Sequence, residues 1–190
     1  MGRRSVKIAL SKRTILKNGG IYDAIETAWY DYLKEQELVF VPNRLDQDFD
    51  ALADSVDSYI ITGGDNRLIR RKTERRMIIA MMKRNKPIIG VCHGCFLLTK
   101  FLGGTLGRKD GHKDGEHNVQ YHGHDYPVNS YHRFHIETLP SSAQILATDE
   151  DGHCEAWLDH NIAGIVWHPE RLESGWVPDE LKRFFGKTSS

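Results

Sequence analysis

Two rhythms of apolar residues run through the first hundred positions. Short β-branched and aliphatic runs predict strands at Val6–Leu10, Leu38–Val41, Ser58–Thr62 and Pro87–Val91. Between them, apolar residues recur at helical spacing. Ile21, Ala24, Ile25, Ala28, Trp29, Tyr32 and Leu33 would share one face of a helix over Ile21–Gln36. A short helix is expected over Asp48–Asp54, a long one over Thr73–Asn85, and another over Gly94–Leu102, closed by Gly103-Gly104. Pro87–Val91 is hydrophobic almost without a break, as a strand covered on both faces should be. Strand and helix in alternation predict an α/β fold with a doubly wound, mostly parallel sheet. Ligands of such sheets sit beyond the carboxyl ends of the strands.

The texture changes in the second half. Residues 110–135 are rich in His and Gly and read as loop. Hairpin-like segments follow at Gln144–Thr148 and Cys154–Leu158, with a DEDG turn between them and another turn at Asp159-His160. Ile162–Trp167 is the last clear strand. Pro178–Phe185 reads as a closing helix with Pro178 near its start. No repeat or linker interrupts the chain, so residues 1–190 are expected to form one domain.

Charge narrows the function classes. Lys plus Arg and Asp plus Glu number 26 each, so no global field favours nucleic acid or an anionic membrane. The N-terminal MGRRSVKIAL has too short an apolar run for a secretion signal, and Val6 breaks the myristoylation pattern after Gly2. No apolar stretch approaches a membrane span. Three cysteines make no disulfide framework, which suits reduced thiols in a cytoplasmic protein.

The chemistry concentrates in GVCHGC (90–95). Cys92 and Cys95 form a C-x-x-C, which admits a redox or metal reading. The same stretch is G-x-C-x-G, a nucleophile on a sharp strand-to-helix turn whose neighbours at −2 and +2 must be small. There the helix N-terminus would favour the thiolate, and Cys95 would point into the core. The second reading explains both glycines. A thiolate needs a base and something to orient it, and Trp167-His168-Pro169-Glu170 offers both at a strand end. If extended, His168 and Glu170 would share one face.

Two clusters carry competing readings. Arg67, Arg70, Arg71, Lys72, Arg75 and Arg76 follow ITGGDN (61–66). They form either an anion site at the catalytic mouth, with Arg70 and Arg71 as contacts, or a solvated helix face compensated by Glu74. His112, His117, His122, His124, His132 and His135 crowd one stretch without a helical His-x-x-x-His pair, so solvated loop histidines are expected and no metal.

Taken together these residues resemble the class I glutamine amidotransferase superfamily, whose Cys-His-Glu triad hydrolyses γ-glutamyl amides. ITGGDN, KPIIGVCHG, GGTLGR, VNSYHRFHI (128–136) and IVWHPER (165–171) resemble its γ-glutamyl hydrolase branch. LSKR followed by AWYDYL (28–33) is similar to bacterial γ-glutamyl-CDP-amidate hydrolases of capsular phosphoramidate biosynthesis. The resemblance implies a flavodoxin-like sheet with an added antiparallel hairpin region, and a catalytic Cys92, His168 and Glu170. It implies an oxyanion hole from the backbone N–H groups of Gly64 and His93, with Asn129, Ser130, Tyr131 and His132 along the glutamyl pocket. It also implies a thioester intermediate and no cofactor.

The chain departs from the family pattern at Phe96, where a Gln usually contacts the glutamyl group, and at His93, where hydrolases often carry Arg. Recognition at Phe96 must therefore differ. The expected partner is a small γ-glutamyl substrate, nucleotide-linked in the narrower match, with no nucleic acid and no membrane; a homodimer is compatible. With no synthase domain fused to it, the chain is expected to hydrolyse alone. The rivals are a glutaminase subunit feeding ammonia to a separate synthase, and a binding module that has lost catalysis.

Overall fold

Thirteen strands and four α-helices order the residues described by the computed structural model, 5–108 and 113–188. Gly2 and His112, singled out above, lie outside them. In chain order the elements are β1 (Lys7–Ser11), β2 (Arg13–Lys17), β3 (Gly20–Ala24), α1 (Ala28–Tyr32), β4 (Glu37–Val41), α2 (Phe49–Ser55), β5 (Ser58–Ile61), α3 (Leu68–Met82), β6 (Ile88–Val91) and α4 (His93–Phe101). Then follow β7 (Thr105–Arg108), β8 (Lys113–Tyr121), β9 (His124–Tyr131), β10 (Phe134–Thr138), β11 (Gln144–Thr148), β12 (Cys154–Asp159) and β13 (Ile162–Ile165). Two 3₁₀ turns, Pro169–Arg171 and Asp179–Phe185, finish the chain.

Strands β4-β1-β5-β6-β13 are mutually parallel and adjacent in that order. This is the 2-1-3-4-5 order of a flavodoxin-like doubly wound sheet. Their side chains alternate between two cores. Ala9, Tyr59, Ile61 and Ile88 face α2, α3 and α4, while Ile8, Leu10, Ile60, Ile89 and Val91 face α1 and the C-terminal 3₁₀ turn. Burial on both faces explains why these strands read as unbroken apolar runs. Beyond β13 the sheet turns antiparallel through β12, β11, β8 and β9, with β10 and β7 branching from β12.

The helix expected over Ile21–Gln36 is corrected. Asn18 and Gly19 take left-handed φ values of 52° and 75° and close a β2–β3 hairpin, with Lys17 opposite Gly20. An Asn-Gly pair is the favoured two-residue hairpin turn, and it overrides the helical spacing up to Ala24. Only Ala28–Tyr32 is α-helical, burying Trp29. The loop reading also gives way over residues 113–135. His122 and Gly123, with φ of 49° and 77°, turn a long β8–β9 hairpin. The closing segment is 3₁₀ rather than α. Helix α3 starts at Leu68, five residues before the expected Thr73. Among the described residues no helix is long and apolar enough to cross a membrane.

Candidate active site

The carboxyl ends of three neighbouring parallel strands build the site. Strand β5 delivers Gly63-Gly64, β6 delivers Cys92 and β13 leads to His168. Adjacent strands lie about 4.8 Å apart, so these groups start within reach of one another.

Cys92 has φ 51° and ψ −104°, a conformation that side chains with a Cβ rarely adopt. Such backbone strain costs about 1–3 kcal/mol and is held here by the hydrogen bond from Cys92 N–H to the Ile165 carbonyl, 2.8 Å. The glycines do what the pattern requires. A Cβ at Gly90 would overlap the Gly94 backbone, and one at Gly94 would overlap the Ile61 carbonyl. Cys95 is fully buried, and burial pushes its thiol well above the ordinary range. It is a core residue rather than half of a redox pair.

His168 is buried beside Cys92. Its Nδ1 lies 2.6 Å from Glu170 Oε1. An ionised carboxylate only accepts, so Nδ1 carries the hydrogen and Nε2 is left for Cys92. The two residues do not meet along an extended chain, as expected above. Pro169–Arg171 forms a 3₁₀ turn that folds Glu170 back under the ring. Asn129 fixes the His168 backbone twice: Nδ2 donates to the His168 carbonyl and Oδ1 accepts from its N–H, both at 2.9 Å. Tyr131 meets the imidazole edge-on, with centroids 5.6 Å apart. Gly63 lies so close that a Cβ there would overlap the imidazole Cε1. Burial opposes the imidazolium, yet hydrogen bonds to Cys92 and Glu170 outweigh it and raise the His168 pKa from 6.5 to about 9.

A cavity of about 570 Å³ opens over Cys92. Gly64, with φ 128°, and His93, the first residue of α4, line it beside the thiol. Phe96, Tyr131 and His132 also line it. Phe96 packs against His132 and Phe134 at centroid distances of 6.0 and 6.1 Å. Ser130 is buried beneath the surface, and Asn129 is committed to His168 rather than to the cavity.

The basic cluster divides. Arg71 and Arg75 reach the cavity, joined by Lys100 and Arg133, which the sequence reading did not single out. For Lys100 the signal was its i,i+4 spacing from Phe96, which puts both on one helix face; for Arg133 it was only its place in the VNSYHRFHI stretch. Arg70 is a correction: its side chain is fully buried, bonded to Glu74 and to backbone carbonyls, and cannot act as a substrate contact. The solvated-histidine reading also fails in part. His117 and His132 are largely buried, 3.7 and 3.8 Å from the carboxylate of Glu155.

Comparison with known proteins gives the family and the fold. The sequence family described as glutamine amidotransferase class-I matches residues 20–188. A chain of Schizosaccharomyces pombe whose name proposes a glutamine amidotransferase is 33% identical over 168 residues, 75% of this chain. This chain spans 62% of that relative's length. The γ-glutamyl-CDP-amidate hydrolase of Campylobacter jejuni is 26% identical over 142 residues, covering 69% of this chain and 70% of its own. Among solved structures, a glutamine amidotransferase of Thermotoga maritima superposes with a TM-score of 0.69. It is 16% identical, covers 96% of this chain and 81% of its own, and shares the fold.

Proposed function

This chain belongs to the class-I glutamine amidotransferase family, and from that premise we propose that it hydrolyses a γ-glutamyl amide bond with Cys92 as nucleophile. The observation that carries the reading is the strained Cys92 elbow with the buried His168 as its electrostatic neighbour and Glu170 holding the imidazole at 2.6 Å.

In this reading the Cys92 sulfur attacks the γ-carbonyl carbon. The negative charge developing on oxygen is met by the N–H groups of Gly64 and His93. The tetrahedral centre collapses, the C–N bond breaks, and the imidazolium of His168 protonates the departing nitrogen. The resulting thioester is cleaved by a water that His168 deprotonates, which releases glutamate and regenerates Cys92. Glu170 keeps Nε2 aimed at sulfur and stabilises the imidazolium.

The leaving group is the finer part of the proposal. Arg71, Arg75, Lys100 and Arg133 surround the cavity, and its aromatic floor is Phe96 and Phe134. Cations over an apolar floor suit a phosphate-bearing, planar leaving group such as a nucleotide phosphoramidate. The name of the Campylobacter relative supports the same choice. Phe96 offers no polar atom to the glutamyl end, so free glutamine is expected to be a poor substrate. The test offers glutamine, γ-glutamyl peptides, γ-glutamyl amines and a γ-glutamyl nucleotide phosphoramidate to the purified chain and measures glutamate. Release from the phosphoramidate at the highest kcat/KM supports the full reading. Efficient release from glutamine instead would remove the leaving-group part, and release from none would remove the hydrolase.

A further inference from the structure

Arg70 and Glu74, one helical turn apart on α3, are both fully buried and neither lines the cavity. Burying two charges is costly and often no more stabilising than packed apolar residues in their place. What the pair touches explains its presence. Arg70 Nε donates to Glu74 Oε1 at 2.7 Å, and the other carboxylate oxygen of Glu74 lies 3.0 Å from His93 Nε2. The rest of the guanidinium grips the turn after β5. Nη2 donates to the Thr62 carbonyl at 2.5 Å, and Nη1 to the carbonyls of Gly63 at 3.3 Å and Asp65 at 3.1 Å. One end of this network is the turn holding Gly64; the other is the residue after the nucleophile.

Peptide geometry decides what that grip does. The Gly63 carbonyl and the Gly64 N–H belong to one planar trans unit and point in opposite directions. With the carbonyl held by the guanidinium, the N–H faces away from the guanidinium, and Gly64 itself borders the cavity beside Cys92. A Cβ at Gly64 would stand 2.8 Å from Arg70 Nη1, so only glycine allows so close an approach.

We propose that Arg70 and Glu74 are positioning residues for the oxyanion hole: Arg70 orients the Gly63–Gly64 peptide, and Glu74 anchors His93, so that both backbone donors converge on one point. The proposal rests on the hydrolase reading only for the use made of that hole. A lysine cannot replace Arg70, because one ammonium cannot hold several carbonyls and a carboxylate in a fixed plane. Glu74 in turn couples the two donors, since a single carboxylate bridges their holders.

The experiment compares two reactions of the same thiol. Acetylation by p-nitrophenyl acetate forms an S–C bond at a carbonyl, passes through an oxyanion and expels p-nitrophenolate. Alkylation by iodoacetamide displaces iodide from a saturated carbon and develops no oxyanion. Both rates are measured at Cys92 in the wild type, Arg70→Lys and the nearly isosteric Glu74→Gln. The amount of fast-alkylating thiol gives the folded fraction of each variant. The ratio of acetylation to alkylation is expected to fall ~10- to 100-fold in Arg70→Lys, the scale of a misplaced oxyanion donor, and by less in Glu74→Gln. A purely structural pair would lower the folded fraction and leave the ratio unchanged, which would overturn the proposal. So would a wild type that alkylates at Cys92 but is not acetylated there. A wild type acetylated at Cys92 yet inert toward every γ-glutamyl compound would sink the hydrolase reading while the ratio still judged this one.

Discussion

Five parallel strands and six antiparallel ones share the main sheet, and they serve the site in different ways. The parallel half supplies backbone geometry: the Gly63-Gly64 turn, the strained Cys92 and the strand leading to His168, all at strand ends. The antiparallel half supplies side chains at the β9–β10 corner, where Tyr131, His132, Arg133 and Phe134 wall the cavity. Chemistry placed on buried strand ends is rigid, whereas a wall of side chains between two strands can change without disturbing it. Under the proposed function, substitutions at the strand ends should therefore lower kcat, and those in the cavity wall, Arg71 of α3 included, should raise KM.

The largest effect is expected at Cys92. Cys92→Ala should reduce glutamate release by at least ~10⁴-fold with little change in thermal stability, as removal of a nucleophile does; residual turnover near wild type would break the comparison outright. Glu170→Gln comes next. It keeps the shape but loses the charge that orients Nδ1–H at 2.6 Å, so kcat should fall ~10³-fold while KM holds. Asn129→Ala sharpens the comparison because Asn129 sits on antiparallel β9 yet holds the His168 backbone. It should lower kcat about tenfold through two lost hydrogen bonds; an effect on KM alone would mean that Asn129 belongs with the wall. Smallest are Arg71→Ala and Arg133→Ala. Each should raise KM for a phosphate-bearing substrate about three- to tenfold, less at high salt, with kcat unchanged. Equal KM values in both variants and the wild type would remove the anion site.

pH probes the same division. His168 binds its proton more tightly in the folded protein, with a pKa of about 9 against an ordinary 6.5. Its contribution to stability is therefore complete below about pH 6.5 and lost as the pH rises through about 9. The difference in thermal midpoint between wild type and His168→Gln should shrink across that window. A constant difference would show that the His168 charge is not stabilised by Cys92 and Glu170.

What the sequence revealed follows the same line. Strands β1, β5 and β6 announced themselves because both faces are buried, the edge strand β4 because its apolar run packs partly against both cores, and the elbow because Gly90 and Gly94 are demanded by local backbone clashes. The grouping of Cys92, His168 and Glu170 was legible as three residues near the ends of apolar runs. The β8–β9 hairpin was not, because its pairing joins largely polar strands without an apolar run to mark them. Asn18-Gly19 did carry a hairpin signal, masked by apolar residues that happen to fall at helical spacing. Arg70 was misplaced because spacing alone cannot tell a solvated arginine from one turned inward to backbone carbonyls. Its i,i+4 partner Glu74 was the available clue.

The most direct measurement is the mass of the protein quenched in acid during turnover of a γ-glutamyl substrate. Nucleophilic attack by Cys92 predicts a covalent γ-glutamyl adduct on the peptide carrying that residue, lost on treatment with hydroxylamine as a thioester is and absent in Cys92→Ala. Turnover that persists in Cys92→Ala, or an adduct on any other residue, would contradict it.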